Sequence, residues 1–466
     1  MKRELPINIK LKRFRRRLAS RKKKIEKRKK ILASNIALKK VIGSDNSYEN
    51  QLDKWLPETV KYFLRIAGNN YLPYENLKTN TKQRELRISI PKEFCLNTNI
   101  KLSLSFINTL IQYILLDRYK TIIIDYSNCK TINLSAQICL DALLIDILKF
   151  IRKRDKFYKT RPVINSIGGE NINDLDVRKI LFSIGSAAVI NKKSYTFKDI
   201  IPYHLCIHNK ENESLKNSQR KLIDTTTLVE HVISSLGLLN KELSQDTIED
   251  LSTVIGEILI NAEEHSTLNQ RYSTGYFQKI DNPNLDKAFG IYHLVILNFG
   301  ESIYEVFKSP NCLNPNSVEK MKKLSDKYSK SNFFTKSFHE GSLWTLYSLQ
   351  EGITSTSPNE YKKRGNGSIR FIESFFNLRT SNGNDNISRL NIISGNTSIL
   401  FDGSYNIENK TIGHEKFRVM TFNNSGNIEE KPDKKYVRKI NTFFPGTIIT
   451  AKILITEDDF VKNENI

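Results

Sequence analysis

The stretch Thr247–Ser266, TIEDLSTVIGEILINAEEHS, decides how the C-terminal half of this 466-residue chain is read. Ile248, Leu251, Val254, Ile255, Ile258 and Leu259 recur three and four residues apart, the period of an amphipathic helix. On such a helix Glu257 and Asn261 stand four apart and project from one face, one turn from each other. Glu264 and His265 follow at its C-terminal end. Taken alone, the segment is equally well explained as an amphipathic helix with an acidic tail.

Three further stretches follow in order. Ile291–Phe299, IYHLVILNF, is a continuous apolar run of the kind found in buried strands, and it runs into Gly300, Glu301, Ser302 and Ile303. Lys362–Phe371, KKRGNGSIRF, places Gly365 and Gly367 before a helical pattern. Glycines there let a backbone approach a phosphate where a Cβ would collide, and the amides opening the helix can face anion oxygens. Lys362, Lys363 and Arg364 add positive charge at that mouth. Near the end, FFPGTIITAKILI sets Gly446 and Thr447 before an alternating strand, and Arg389–Tyr405 reads as strands joined at the turn SGN.

The string E-x-x-x-N-A-x-x-H-S, from Glu257 to Ser266, resembles the N-box of the GHKL (Bergerat-fold) ATPases. That class includes gyrase, sensor histidine kinases, mismatch-repair ATPases and anti-sigma-factor kinases, and the Ala and His-Ser are most similar to the last. The resemblance covers about 224–457 and implies an α/β sandwich with a mixed sheet, binding ATP and Mg2+. It makes the Asn261 oxygen a magnesium ligand and Glu257 the group that orients or deprotonates water or an attacking hydroxyl. Asn298 takes the place of the family's adenine-binding Asp, and Gly300 matches the first glycine of that box. Asn accepts through its amide oxygen but brings no charge. Arg364, Gly365, Gly367 and Ser368 would hold phosphate, and the Thr447 hydroxyl would assist the phosphate or magnesium shell. Residues 304–364 would include a lid over the nucleotide.

Upstream, RELRISIP alternates as a strand from Arg84, Ile100–Asp117 has helical spacing, and TIIIDYS is a buried strand. Ser135–Lys153 is a helix with an apolar stripe, 162–167 a brief strand, and Asn173–Ile184 a helix stopped by Gly185. Strands separated by helices indicate an α/β unit. This order resembles the STAS domain of anti-sigma-factor antagonists. The family's phospho-acceptor turn corresponds here to Asn133, Leu134, Ser135 and Ala136, which makes Ser135 a candidate acceptor, although a helix N-cap explains a Ser at this point better.

Charge is uneven. Residues 1–40 hold 18 Lys and Arg against Glu4 and Glu26, contributing +16 of the formal +23. The apolar residues Leu11, Phe14, Leu18, Ile25 and Ile31 recur at roughly helical spacing, so this arm reads as a basic amphipathic helix or a disordered leader. Its candidate partners are nucleic acid, an anionic membrane face or an acidic protein surface. The sequence therefore divides into a basic arm (1–43), a connector with a short helix (44–83), a STAS-like α/β unit (84–208), a linker (209–223) and a GHKL unit (224–466).

The five cysteines form no C-x-x-C pair, and neither a disulfide framework nor a zinc knuckle is indicated. His204, Cys206 and His208 alternate and could share one strand face, but an ordinary strand explains them better. His231 lies at an apolar-spaced position and reads as a packed residue. With no signal-peptide region and no apolar run long enough to span a bilayer, a soluble, cytoplasmic protein is expected. Two functions follow: a GHKL ATPase or protein serine/threonine kinase coupled to a STAS-like unit, with a protein partner and a homodimer both open, or a non-enzymatic module tethered by its arm.

Overall fold

The computed structural model describes residues 56–66, 84–115, 119–157, 164, 166–193, 195–209, 215–264, 267–268, 270–280, 289–329, 338–355, 367–377, 386–412 and 415–456, with Ser20, Lys23 and Glu26. Those last three are helical and exposed; the rest of the basic arm and the 69–83 connector lie outside the described residues.

Helix α1 spans Glu58–Ile66. A strand–helix alternation follows: β1 (Glu85–Ser89), β2 (Glu93–Phe94), α2 (Leu96–Leu115), β3 (Thr121–Asp125), β4 (Thr131–Ile132), α3 (Leu134–Phe157), β5 (Ser166–Glu170) and α4 (Leu175–Ser183). Strands β1, β3 and β5 form a parallel sheet with β3 in the middle, and β2 pairs in parallel with β4. The central strand is the β-branched run Thr121–Asp125, whose Ile122, Ile123 and Ile124 are buried. Parallel strands covered by crossover helices demand that pattern. Asp174 caps α4 by accepting from the amides of Asp176 and Val177, and Gly185 leaves the helix at φ +66°, as the sequence indicates.

The second half builds a separate sheet. Its elements are β6 (Ile200–Asn209), α5 (Leu215–Gly237), α6 (Gln245–Glu264), β7 (Gln270–Ile280), β8 (Phe289–Phe299), α7 (Ile303–Lys308), α8 (Pro315–Ser329), α9 (Glu340–Ser348), α10 (Gly367–Asn377), β9 (Arg389–Phe401), β10 (Glu408–Ile412), β11 (Glu415–Val419) and β12 (Val437–Thr456). The strand order is β6-β7-β8-β12-β9, and β10–β11 forms a hairpin. The fold thus combines a parallel α/β unit with an antiparallel α+β unit.

Several expectations are corrected. The five-stranded sheet is not mixed, since all four of its pairings are antiparallel. Strand β6, grouped by sequence with residues 84–208, pairs with β7 and belongs to this sheet. Helix α5 starts at Leu215, inside the expected 209–223 linker. SGN is not a turn: β9 runs unbroken through it, with Gly395 at φ +54°. Two irregularities fall on β12: four residues between Lys439 and Phe444 lie opposite Asn396 alone, and Pro445 and Gly446 are extra residues opposite the Ser394–Gly395 step.

Side chains alternate across the sheet, so each strand feeds two cores. On β8, Tyr292, Leu294 and Ile296 face α5, α6, α9 and α10. Val295, Leu297 and Phe299 face the other way, into a core shared with α1, α2 and α3. The N-terminal helices therefore cover the outer face of the sheet. Phe63 meets Phe299 edge to face at 6.2 Å. At the same junction Thr59 and Tyr272 both donate hydroxyl hydrogen bonds, each 2.7 Å, to Oδ2 of the buried Asp146. Each fully buried aliphatic or aromatic side chain contributes about 1.5–3 kcal/mol.

Candidate functional site

Helix α6 packs on the sheet along its apolar stripe, with Leu251, Val254, Ile255, Ile258 and Leu259 buried. Asn261 therefore lies at the margin of that stripe, over the C-terminal end of β8. Alternation along β8 puts Asn298 on the same side as Ile296. Pairing of β8 with β12 sets Thr447 directly opposite Asn298. Helix α10 packs along α6 and brings Ser368 to the same place. These four residues line one cleft of about 70 Å³, floored by Ile296 and Ile392 and flanked by Phe371.

The polar groups differ in how they are used. Asn298 is only 5% exposed. Its Nδ2 donates to the Ala262 carbonyl of α6 at 2.6 Å, and its Oδ1 accepts from the Thr447 amide at 2.9 Å. One side chain thereby ties α6, β8 and β12 together. The Thr447 hydroxyl is 2.8 Å from that of Ser394, which accepts from the Ile303 amide at 2.9 Å. Asn261 and Ser368 have no side-chain hydrogen bond among the described residues.

Two glycines are fixed by sterics. Gly300 adopts φ +136°, and a Cβ there would meet Thr267 at 3.1 Å. Gly446 adopts φ +133°, and a Cβ would lie 2.1 Å from the Asn298 carbonyl oxygen. The close approach of β8 and β12 beside the cleft requires glycine at Gly446.

Glu257 does not line the cleft. It faces α10, with Oε1 3.9 Å from Arg370 Nη1 and Oε2 buried without a hydrogen-bond partner among the described residues. Gly367 opens α10 as expected, whereas Arg364 and Gly365 lie outside the described residues, as does His265. Sequence reading missed Ser394, Arg370 and Arg418. Arg418, on β11, binds Glu373 and Glu351, a long-range pairing that leaves no local pattern.

Ser135 is a correction. It is fully buried inside the first turn of α3, and its hydroxyl and amide both donate to Asn133 Oδ1, at 2.7 and 2.8 Å. Asn133, not Ser135, caps the helix, and no solvent-facing hydroxyl is offered for modification. His204, Cys206 and His208 do not share a face as drawn, because a register shift between Tyr203 and Cys206 breaks the alternation. His208 is buried with Nδ1 3.0 Å from Glu263 Oε2. No cluster of three metal-ligating side chains occurs among the described residues. His231 is packed, with Nδ1 2.9 Å from the Tyr292 hydroxyl and Nε2 3.0 Å from the Ile201 carbonyl, and burial lowers its pKa. Cys95, Cys129 and Cys139 are buried thiols, while Cys206 and Cys312 are half-buried; burial pushes Cys129 up to about 11. No helix among the described residues is long and apolar enough to cross a membrane.

Comparison with family models, with curated proteins and with solved structures returned no match to this chain.

Proposed function

We propose that the cleft between α6 and α10 binds ATP with Mg2+ in the manner of the GHKL class, and that the chain is an ATP-dependent regulatory protein in which a STAS-like unit backs a Bergerat-type sheet. The observation that carries the reading is convergence. Asn261, Asn298, Ser368 and Thr447 come from four separated stretches, were singled out by their sequence context, and line one cleft. The Asn261 amide oxygen, with no competing hydrogen bond among the described residues, also suits a hard cation that keeps most of its waters and so needs few protein ligands. Magnesium would neutralise phosphate charge there. Asn261 would bind it, the first amides of α10 would face phosphate, and Glu257 would serve as base only after turning from Arg370 toward the cleft.

At about 70 Å³ the cleft is less than half the roughly 150 Å³ that admits a benzene ring. A purine would need more room than the cleft shows, and any opening that supplied it would lower the apparent affinity by the fraction of open molecules. A second reading rests on Asn298. Both ends of its amide are committed inside the fold, which favours a cleft retained for structure in a non-enzymatic module tethered by the basic arm.

Titration calorimetry and phosphate release with Mg2+–ATP on the full chain, beside Asn261→Ala and Glu257→Ala, separate these. Binding weakened at least about tenfold by Asn261→Ala, with turnover lost in both variants, is expected for an ATPase or kinase. Binding without turnover in any form indicates a nucleotide-sensing switch. No binding by the intact chain sinks the proposal.

A further inference from the structure

Helix α10 has two working faces. Ser368, Phe371 and Ile372 line the cleft. Arg370 and Glu373, three apart and so on one side of the helix, face an ion network instead. Arg370 stands 3.9 Å from Glu257 on α6. Glu373 Oε2 accepts from Arg418 Nη1 at 2.6 Å. The same guanidinium reaches Glu351, just past α9, through Nε and Nη2 at 3.3 Å each, and the Arg418 amide donates to Glu351 Oε2 at 2.5 Å. The Glu351 amide in turn donates to the Arg418 carbonyl at 3.4 Å. Burial alone would raise the Glu351 pKa. The Arg418 hydrogen bonds and charge, with Arg370 nearby, outweigh it and hold the carboxyl below its usual range.

We infer that Arg418 is a positioning residue of the cleft: it fixes α10 to the β10–β11 hairpin and to the end of α9, and so sets how far α10 stands from α6 and from Glu257. The guanidinium is suited to this because its planar fork serves two carboxylates at once, which an ammonium cannot do in one geometry. Arg418 and Glu351 are only 22% and 13% exposed at their side chains, so solvent screens this contact less than a surface pair. Releasing the clasp frees α10 at its middle turn and leaves its apolar cleft face as the main restraint. The hairpin thereby becomes the handle through which a contact distant from the cleft alters nucleotide access. The functional consequence rests on the nucleotide reading; the mechanical one does not.

The test uses hydrogen exchange by mass spectrometry on the nucleotide-free full chain, with Mg2+–ATP titration in parallel. Glu373→Gln cuts one arm of the clasp at a carboxylate that is 37% exposed and keeps the fold, and Arg418→Lys keeps the charge but not the fork. Amides of 367–377 are expected to exchange up to about fivefold faster in Glu373→Gln, the factor for a contact worth about 1 kcal/mol, while 134–157 and 389–401 stay unchanged. Nucleotide affinity is expected to change by a similar factor, with Arg418→Lys failing to restore wild-type behaviour. Unchanged exchange in α10 overturns the inference, as does a uniform rise over the whole chain, which marks a merely structural pair. Faster α10 exchange with unaltered affinity overturns the link to the cleft. If the wild-type chain binds no nucleotide, the functional proposal fails while the exchange result still decides whether Arg418 holds α10.

Discussion

In the proposed GHKL reading Asn298 takes the place of an aspartate, and Asn298→Asp turns that difference into a measurement. In the wild type the amide donates to Ala262 O and accepts from Thr447 N. An ionised carboxylate keeps the second bond and loses the first, leaving an oxygen facing the Ala262 carbonyl where a 2.6 Å hydrogen bond had been. The cost combines a lost hydrogen bond, an unsatisfied buried carbonyl and a desolvated charge at a site 5% exposed, about 3–5 kcal/mol in all. Protonated, the introduced carboxyl donates to Ala262 O and becomes nearly isosteric with Asn, so the cost drops to about 1 kcal/mol or less. The folded variant therefore binds a proton more tightly than its unfolded chain, and its deficit grows as pH rises. Thermal melts of variant and wild type at pH 5 and pH 8 read this directly, each difference taken at fixed pH so that other titrations cancel. At about 2–4 °C per kcal/mol, the deficit at pH 8 is roughly 10 °C, shrinking to a few degrees at pH 5. A variant as stable as wild type at pH 8, or a deficit equal at both pH values, would refute the claim that this amide joins α6 to the sheet.

Two other variants probe the α/β unit and the approach of β8 to β12. Asp141 is wholly buried, its carboxyl pushed up to about 7 by burial despite hydrogen bonds from Ser186, Gln137 and the Ala187 amide. Its folded pKa lies above the unfolded value near 3.9, so its contribution is greatest below about pH 4 and is lost as pH climbs to about 7, a change on the order of 4 kcal/mol. Asp141→Asn should flatten that part of a pH–stability profile from chemical denaturation; an undiminished slope would place the effect elsewhere. Gly446→Ala forces a Cβ against the Asn298 carbonyl at a φ that disfavours L-residues, and is expected to cost at least about 3 kcal/mol by denaturant midpoint, where a loss below 1 kcal/mol would mean the β8–β12 approach is loose.

The elements that position the cleft were legible because their patterns are long and local. The stripe from Ile248 to Leu259 fixed α6, the apolar run to Phe299 fixed β8, and SIRFIESFF fixed α10. What was illegible depends on partners far away in the chain. Nothing in Ile200–Asn209 says that its neighbour is β7 rather than β5, and a polar amphipathic start hid α5 inside an apparent linker. Gly395 looked like a turn because a glycine after Ser suits one; the structure spends that freedom inside a continuous strand, opposite a bulge that Pro445 and Gly446 make necessary. Ser135 read as an acceptor or a cap because it opens a helix, but it is fully buried and Asn133 takes the capping role. The same limit applies at the cleft: residue types at Asn261, Asn298 and Thr447 pointed to one place, but the commitment of the Asn298 amide and the turning of Glu257 toward Arg370 depend on partners brought in by the fold.

The covering of the sheet's outer face by α1–α3 changes what counts as a part of this protein. A cut at residue 224 would not release a module. It would strip β6 away, leave β7 with an open edge, and bare Tyr272, Leu297 and Phe299, a surface that seeks another copy of itself. Communication between the halves needs no linker either. Strand β8 has Phe63 against Phe299 on one side and carries Asn298 on the other, so two ends of the chain read a single strand from opposite faces.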